Sequence, residues 1–177
     1  IVGTIAVIFS LTLSPVVYSA DVAKIGVVFF QKILVDSSAG KMIKQQVEEQ
    51  NNKNIKILQD EKTQIESLED ELKKMSLLPV PVDKTKKAEK EKAYIARRQE
   101  FAKLQKRLTD EMKALNKQLM SDFSKKVNNI VREIGKKEGY LMILERREAG
   151  IFYVPDQIDI TESVTKILNE QTAKEQQ

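Results

Sequence analysis

The sequence has no cysteine, no histidine and no tryptophan. Without cysteine there are no disulfides, thiolate metal sites or thiol nucleophiles, and cysteine usage says nothing about the redox compartment. Without histidine the commonest general base and the commonest transition-metal ligand are missing. Aromatic residues make up 6%, and six glycines and four prolines are spread over 177 residues. That is little aromatic mass for a packed enzyme core. No glycine-rich phosphate loop is present, so nothing points to ATP use. No serine stands in a nucleophile elbow beside an oxyanion loop. Acidic runs such as Glu48-Glu49 and Glu69-Asp70-Glu71 fall within a lysine-rich stretch and read as a solvated helix face with i,i+4 partners. The reading is therefore non-enzymatic, with no cofactor and no metal.

What is abundant is charge, 32% of the chain, together with Ala, Leu and Gln. That composition suits long helices or a coiled coil. The first twenty residues are an exception, since they carry no charge. An apolar run ending in small residues reads as a secretory signal, with cleavage after Ser19. Neither an initiator methionine nor a basic start precedes the run, so residues 1–19 read as a signal peptide that is N-terminally incomplete. An uncleaved anchor is the competing reading, and Pro15 weighs against it. Export implies a periplasmic protein.

Residues 24–30, KIGVVFF, form a β-branched and aromatic run, read as a buried strand. Residues 31–35 add a helical turn, and Ser37 and Ser38 are candidate N-caps for a long helix. From there to Leu78 there is no proline, and no glycine after Gly40. Val47, Asn51, Asn54, Leu58, Glu61, Ile65, Leu68, Leu72 and Met75 recur every 3.5 residues, an imperfect coiled-coil seam. Asn51, Asn54 and Glu61 weaken its half nearer the strand, which would let the arm bend. A second helix is expected over residues 84–137. Its seam is Phe101, Leu104, Leu108, Met112, Leu115, Leu119, Phe123, Val127, Ile130 and Ile134, and Gly135 and Gly139 end it. Between the helices stands SLLPVPVD, and its two prolines force the chain to turn. Helices of these lengths span roughly 60 and 80 Å, so the base of the longer one must pack elsewhere.

Residues 141–144 and 151–154 read as a β-hairpin with its turn around residues 148–150. Asp159 and Glu162 resemble a capping box ahead of a final helix with Ile160, Val164, Ile167 and Leu168 on one face. Three short strands and one short helix make too small a core, and the sheet edges are open. Pairing of those edges between copies is the simplest remedy. The fold class is α+β, mainly α: a long antiparallel helical hairpin, a coiled-coil arm, on a small β body completed by oligomerisation. In residue ranges, 20–37 give the first part of the body, 38–138 the arm with its tip at 79–83, and 139–177 the hairpin and C-terminal helix. Candidate oligomer residues are Ile25, Val27, Phe29, Leu141, Ile143, Ile151 and Tyr153.

Charge is distributed unevenly along the arm. Residues 84–107 hold ten basic and three acidic residues, a net of +7, whereas residues 41–78 hold seven and eight, a net of −1. Lys84, Lys87, Lys90, Arg97, Arg98, Lys103, Lys106 and Arg107 are the candidate binding cations. One reading is a solvated face. The other is an electrostatic surface for acidic proteins, lipopolysaccharide or an anionic membrane. Export and the lack of interleaved aromatics argue against nucleic acid. The tip, Leu77, Leu78, Pro79, Val80, Pro81 and Val82, either seals the turn against Ala93 and Tyr94 or offers an apolar patch.

The order of elements resembles the Skp/OmpH family of periplasmic chaperones over essentially the whole chain. Its anchors are Ala20-Asp21 followed by Lys24-Ile25-Gly26-Val27-Val28, then Arg98-Gln99-Glu100-Phe101-Ala102, then Asp159-Ile160-Thr161. The resemblance implies a homotrimer with a central β body and three arms around a cavity. It implies an ATP-independent holdase that keeps unfolded outer-membrane proteins from aggregating. The tip is more apolar than the family pattern. Lipopolysaccharide binding, proposed for some members, does not map onto particular residues here. Two other classes compete: an envelope spacer or tether that uses the arm only for length, and a prefoldin-like chaperone. In prefoldins the strands interrupt the helices, whereas here they lie outside the arm at both ends.

Overall fold

The computed structural model describes residues 23–77 and 84–176. The signal-like segment and all of the tip except Leu77 lie outside the described residues. In chain order the elements are β1 (Ile25–Val28), α1 (Phe30–Asp36), α2 (Ser38–Leu77), α3 (Lys84–Glu138), β2 (Met142–Glu145), a 3-10 turn (Asp156–Ile158) and α4 (Thr161–Glu175).

α2 and α3 are single uninterrupted helices of 40 and 55 residues. They run antiparallel and pack along one seam. All ten apolar positions expected on α3 are at least half-buried. On α2 the seam runs through Gln50 rather than Asn51, which is exposed. Both side chains are polar amides, so the apolar spacing carried no information there. Gln50 Nε2 donates to Asn54 Oδ1 at 3.0 Å, and this satisfies part of the buried amide. α3 ends on Glu138, one residue beyond the expected end. Gly139 then takes φ of +71°, where a Cβ would be strained, and Tyr140 N donates to Gly135 O at 3.0 Å.

The extra length of α3 enters the body. Phe123, Val127, Ile130 and Ile134 pack with Val28, Ile33, Ile160, Val164 and Leu168 in the main core. Phe30 meets Phe123 edge to face, with centroids 5.3 Å apart. Fully burying each of these side chains stabilises by about 1.5–3 kcal/mol. The root of the arm is tied on both sides. Ser37 Oγ accepts from Gly40 N at 3.1 Å, and Asn169 Oδ1 on α4 accepts from Ser38 N at 2.8 Å. At Gly40 the backbone runs so close to Leu34 that any Cβ would overlap its carbonyl oxygen.

The sheet differs from the expected one. β1 pairs with β2 in parallel, Ile25 with Met142 through Val28 with Glu145. The chain does turn at residues 146–150, and Ile151 N donates to Arg146 O at 2.9 Å. Residues 151–154 form no strand with β2, so the expected hairpin is not closed within one chain. Instead Arg146 bonds the carbonyls of Ile151 and Phe152, which supplies partners that a ladder would otherwise provide. A single bridge from Val27 to Asp159 extends the sheet on the other side of β1. The capping box is also displaced. α4 starts at Thr161, and Asp159 Oδ1 accepts from Thr161 N at 2.8 Å while Thr161 Oγ1 accepts from Phe29 N at 3.0 Å.

Candidate functional site

Two surfaces carry the candidate residues: the distal half of the arm and the outer face of the sheet. On the arm, α3 continues its inward seam past Phe101 with Arg97, Tyr94, Lys90 and Lys87, all half-buried. Two of these cations cross to α2. Lys90 pairs with Glu71, and Arg97 pairs with Glu61 at 3.1 Å and also contacts Gln64. Glu61 is therefore part of a latch between the helices rather than a weak point. The hydrogen bond from Lys90 holds the Glu71 carboxyl below the usual carboxylate range. Arg97 Nε is shielded from water and has no hydrogen-bond partner among the described residues.

The other six cations divide by partner. Lys103 pairs with Glu100 at 2.7 Å, Arg107 with Glu111 at 3.7 Å and Lys87 with Glu91 at 4.0 Å, all on α3 itself. Arg98 stacks over the Tyr94 ring at 5.7 Å. Lys84 and Lys106 are exposed and have no ion pair among the described residues. The eight residues thus do not form one free cationic face: two lock the hairpin, and the remainder line its surface. The partners Glu71 and Gln64 were missed because charge and amide groups occupy every face of α2, so no spacing singles them out. Leu77, the described residue of the tip, is 81% exposed.

The body residues divide by face. Ile143 packs against the main core on the same face as Val28, whereas Val27 is buried on the opposite face of β1, outside that core. Phe29 lies under the Arg146 guanidinium at 5.4 Å. Ile151 is half-buried. The exposed apolar side chains are Ile25, Leu141, Met142 and Leu144 at the sheet, with Phe152 (96% exposed) and Tyr153 just beyond it. Met142, Leu144 and Phe152 were not among the expected oligomer residues. Two nearly bare aromatics beside an apolar sheet face and an unpaired β2 edge form a surface that water does not favour.

The family model "Outer membrane protein (OmpH-like)" matches residues 24–168, from β1 into α4. The chain belongs to the Skp/OmpH family of periplasmic chaperones. Its fold is also similar to that of an OmpH-like chain from Caulobacter crescentus CB15, with a TM-score of 0.76 at 13% identity, covering 84% of this chain and 85% of that one. No curated protein matches the sequence significantly. Skp/OmpH members are non-enzymatic periplasmic chaperones, and outer-membrane assembly is the family's association. Among the described residues no helix is long and apolar enough to cross a membrane, and no group of three acidic residues could hold a metal ion.

Proposed function

We propose that this Skp/OmpH chain is an ATP-independent holdase that acts as a homotrimer and grips unfolded outer-membrane proteins between its arms. On this reading residues 1–19 direct export and are removed after Ser19. The observation that supports the proposal is the group of exposed apolar side chains, Ile25, Met142, Leu144 and Phe152, at the root of a long, cation-rich arm. A second and third copy would cover Ile25, Met142, Leu144 and Phe152, and residues 151–154 offer backbone groups to a neighbouring β2 edge. Three arms rising from that joined body would surround a space.

Capture then follows from charge and length. Lys84, Arg98, Lys103, Lys106 and Arg107 attract acidic segments of an unfolded chain, and their aliphatic stems cover apolar surface. Many weak contacts on several arms add up without any fixed register. Lys90 and Arg97 act chiefly by holding the arm together, and Lys87 pairs along α3. The test is stopped-flow binding of a fluorescent unfolded outer-membrane protein over a range of salt concentrations. Exposed charges are screened within ~10 Å at 0.1 M salt, so association should slow as salt rises. Association that does not change with salt would overturn electrostatic capture.

A further inference from the structure

A pocket of about 290 Å³ opens between the end of α3 and β2. Its apolar lining comes from Val131, Tyr140, Met142 and Ile143, and Gly135 puts no side chain into it. Met142 and Ile143 are successive strand residues and point to opposite faces, so a pocket that touches both wraps the edge of β2. No residue of β1 lines it, which places it on the side of β2 that no strand covers among the described residues. Its volume lies at the lower end of the range for bound molecules and suits one aromatic ring. Arg132 and Lys136, one turn apart on α3, complete the lining. Both are exposed, and neither has an ion pair among the described residues. The pocket's own lining thus carries two free cations and no carboxylate.

The same chain presents a matching projection. Phe152 is 96% exposed, so it does not fill the pocket of its own chain. It follows a turn that is fixed in place. Ala149 N donates to Glu145 O at 3.0 Å, Ile151 N donates to Arg146 O at 2.9 Å, and Arg146 Nη2 donates to Phe152 O at 3.1 Å. A side chain held out on such a turn has little freedom left to lose on docking. Glu148 and Asp156 flank it, four residues away on either side, and residues 148–156 contain no basic residue. Both acids are exposed and have no ion pair among the described residues. Projection and pocket therefore match in size and are opposite in charge. We infer that Phe152 of one copy enters this pocket on the next copy, with Glu148 and Asp156 meeting Arg132 and Lys136. Residues 151–154 then lie along the neighbouring β2 edge. Pocket and projection are different patches of one surface, so the contact runs head to tail, and repetition by rotation closes a ring rather than a two-fold pair. The inference rests on the trimer reading above and gives that assembly its anchor.

The test is sedimentation velocity of the full chain over a concentration series, with circular dichroism on each variant. Phe152→Ala should raise the concentration at which half the chains are assembled by about thirtyfold or more, as loss of an interface aromatic anchor does. Helicity should not change, because the ring touches little in the single chain. Gly135→Ala tests the pocket from the other side. Its methyl would meet Ile143 Cδ1 at 3.4 Å, an ordinary contact, and alanine favours a helix, so the single chain should be no less stable. Assembly should nevertheless weaken by about tenfold, because the ring loses room. Gly135→Ala added to Phe152→Ala should cost nothing further, since no ring is left to displace. Arg132→Glu with Lys136→Glu should weaken assembly, and adding Glu148→Lys with Asp156→Lys should restore it. Ile95→Ala, which removes an exposed apolar side chain on the arm, should leave assembly unchanged. Unchanged assembly of Phe152→Ala, additive losses in the double variant, an equal loss with Ile95→Ala, or a charge exchange that restores nothing would overturn the inference. If the parent assembles and the pocket variants assemble equally well, the pocket contact fails and the trimer reading stands. A parent that stays monomeric at micromolar concentration defeats the trimer reading, and the pocket contact with it.

Discussion

Aspartate placed at residue 142 or at residue 143 should produce opposite failures. Neighbours on a strand point to opposite faces. Ile143 packs on the interior core, whereas Met142 is 45% exposed on the outer face. Replacing Ile143 removes a side chain whose truncation in a core costs about 2–5 kcal/mol, and a carboxylate with no partner adds about 1–3 kcal/mol. Domains of this size are stable by only about 5–15 kcal/mol in total, so Ile143→Asp should leave much of the protein unfolded. Met142→Asp should cost the single chain within about 0.5 kcal/mol, as exposed substitutions do. If the outer face is buried between copies, the loss there is about 1.5–3 kcal/mol per copy, or about 5–9 kcal/mol for three, before any penalty for burying charge. Sedimentation equilibrium with circular dichroism distinguishes the two. Met142→Asp should give a helical monomer at micromolar concentration, and Ile143→Asp should lose helicity. A folded Ile143→Asp oligomer, or a Met142→Asp oligomer as tight as the parent, would refute the assignment of faces.

Further expectations concern the arm and its root. Lys84→Glu, Arg98→Glu and Lys106→Glu combined should slow client association strongly in stopped-flow experiments and leave the helices paired, because among the described residues none of the three forms a close ion pair across the hairpin. Lys90→Glu with Arg97→Glu should instead place like charges opposite Glu71 and Glu61 and speed amide hydrogen exchange over the distal arm, whether or not client is present. Gly40→Ala should destabilise by about 3 kcal/mol in urea titrations, because Leu34 leaves no room for a methyl group. The Glu71 carboxyl is depressed in the folded arm by Lys90. Its contribution is therefore present above the ordinary carboxylate pKa and is lost as pH falls through the folded value. Hydrogen exchange near residues 71 and 90, corrected for intrinsic rates, should rise as pH falls below the ordinary carboxylate range, and Glu71→Gln should abolish that response.

The sequence made the helices legible because their information is local. The α3 seam of ten apolar residues lands inward without exception, and the glycine stop is one residue from the observed end. The sheet was harder. Leu141, Met142, Ile143 and Leu144 are consecutive apolar residues, so no alternation marks which face they present. Expectation named Ile143 but not Met142 among the oligomer residues; in the fold Ile143 is half-buried against the core and Met142 is exposed. The parallel pairing of β1 with β2 joins residues more than a hundred positions apart, and nothing local encodes it. The nearest apolar run, residues 151–154, was the natural partner by proximity, yet it stays unpaired in the single chain. The cationic run on α3 was visible as composition, but its division into latch and surface depends on which turns of α2 it meets. Lys90 finds Glu71, which does not stand out among so many acids, and Arg97 finds Glu61, whose seam position was legible but not its partner.

The most direct test of the central claim is right-angle light scattering after an outer-membrane protein in urea is diluted into buffer without nucleotide. The protein, added at three chains per client, should keep scattering near the buffer baseline, and adding ATP should change nothing. A client that aggregates as fast with the protein as without it, or is protected only when ATP is present, would contradict the account.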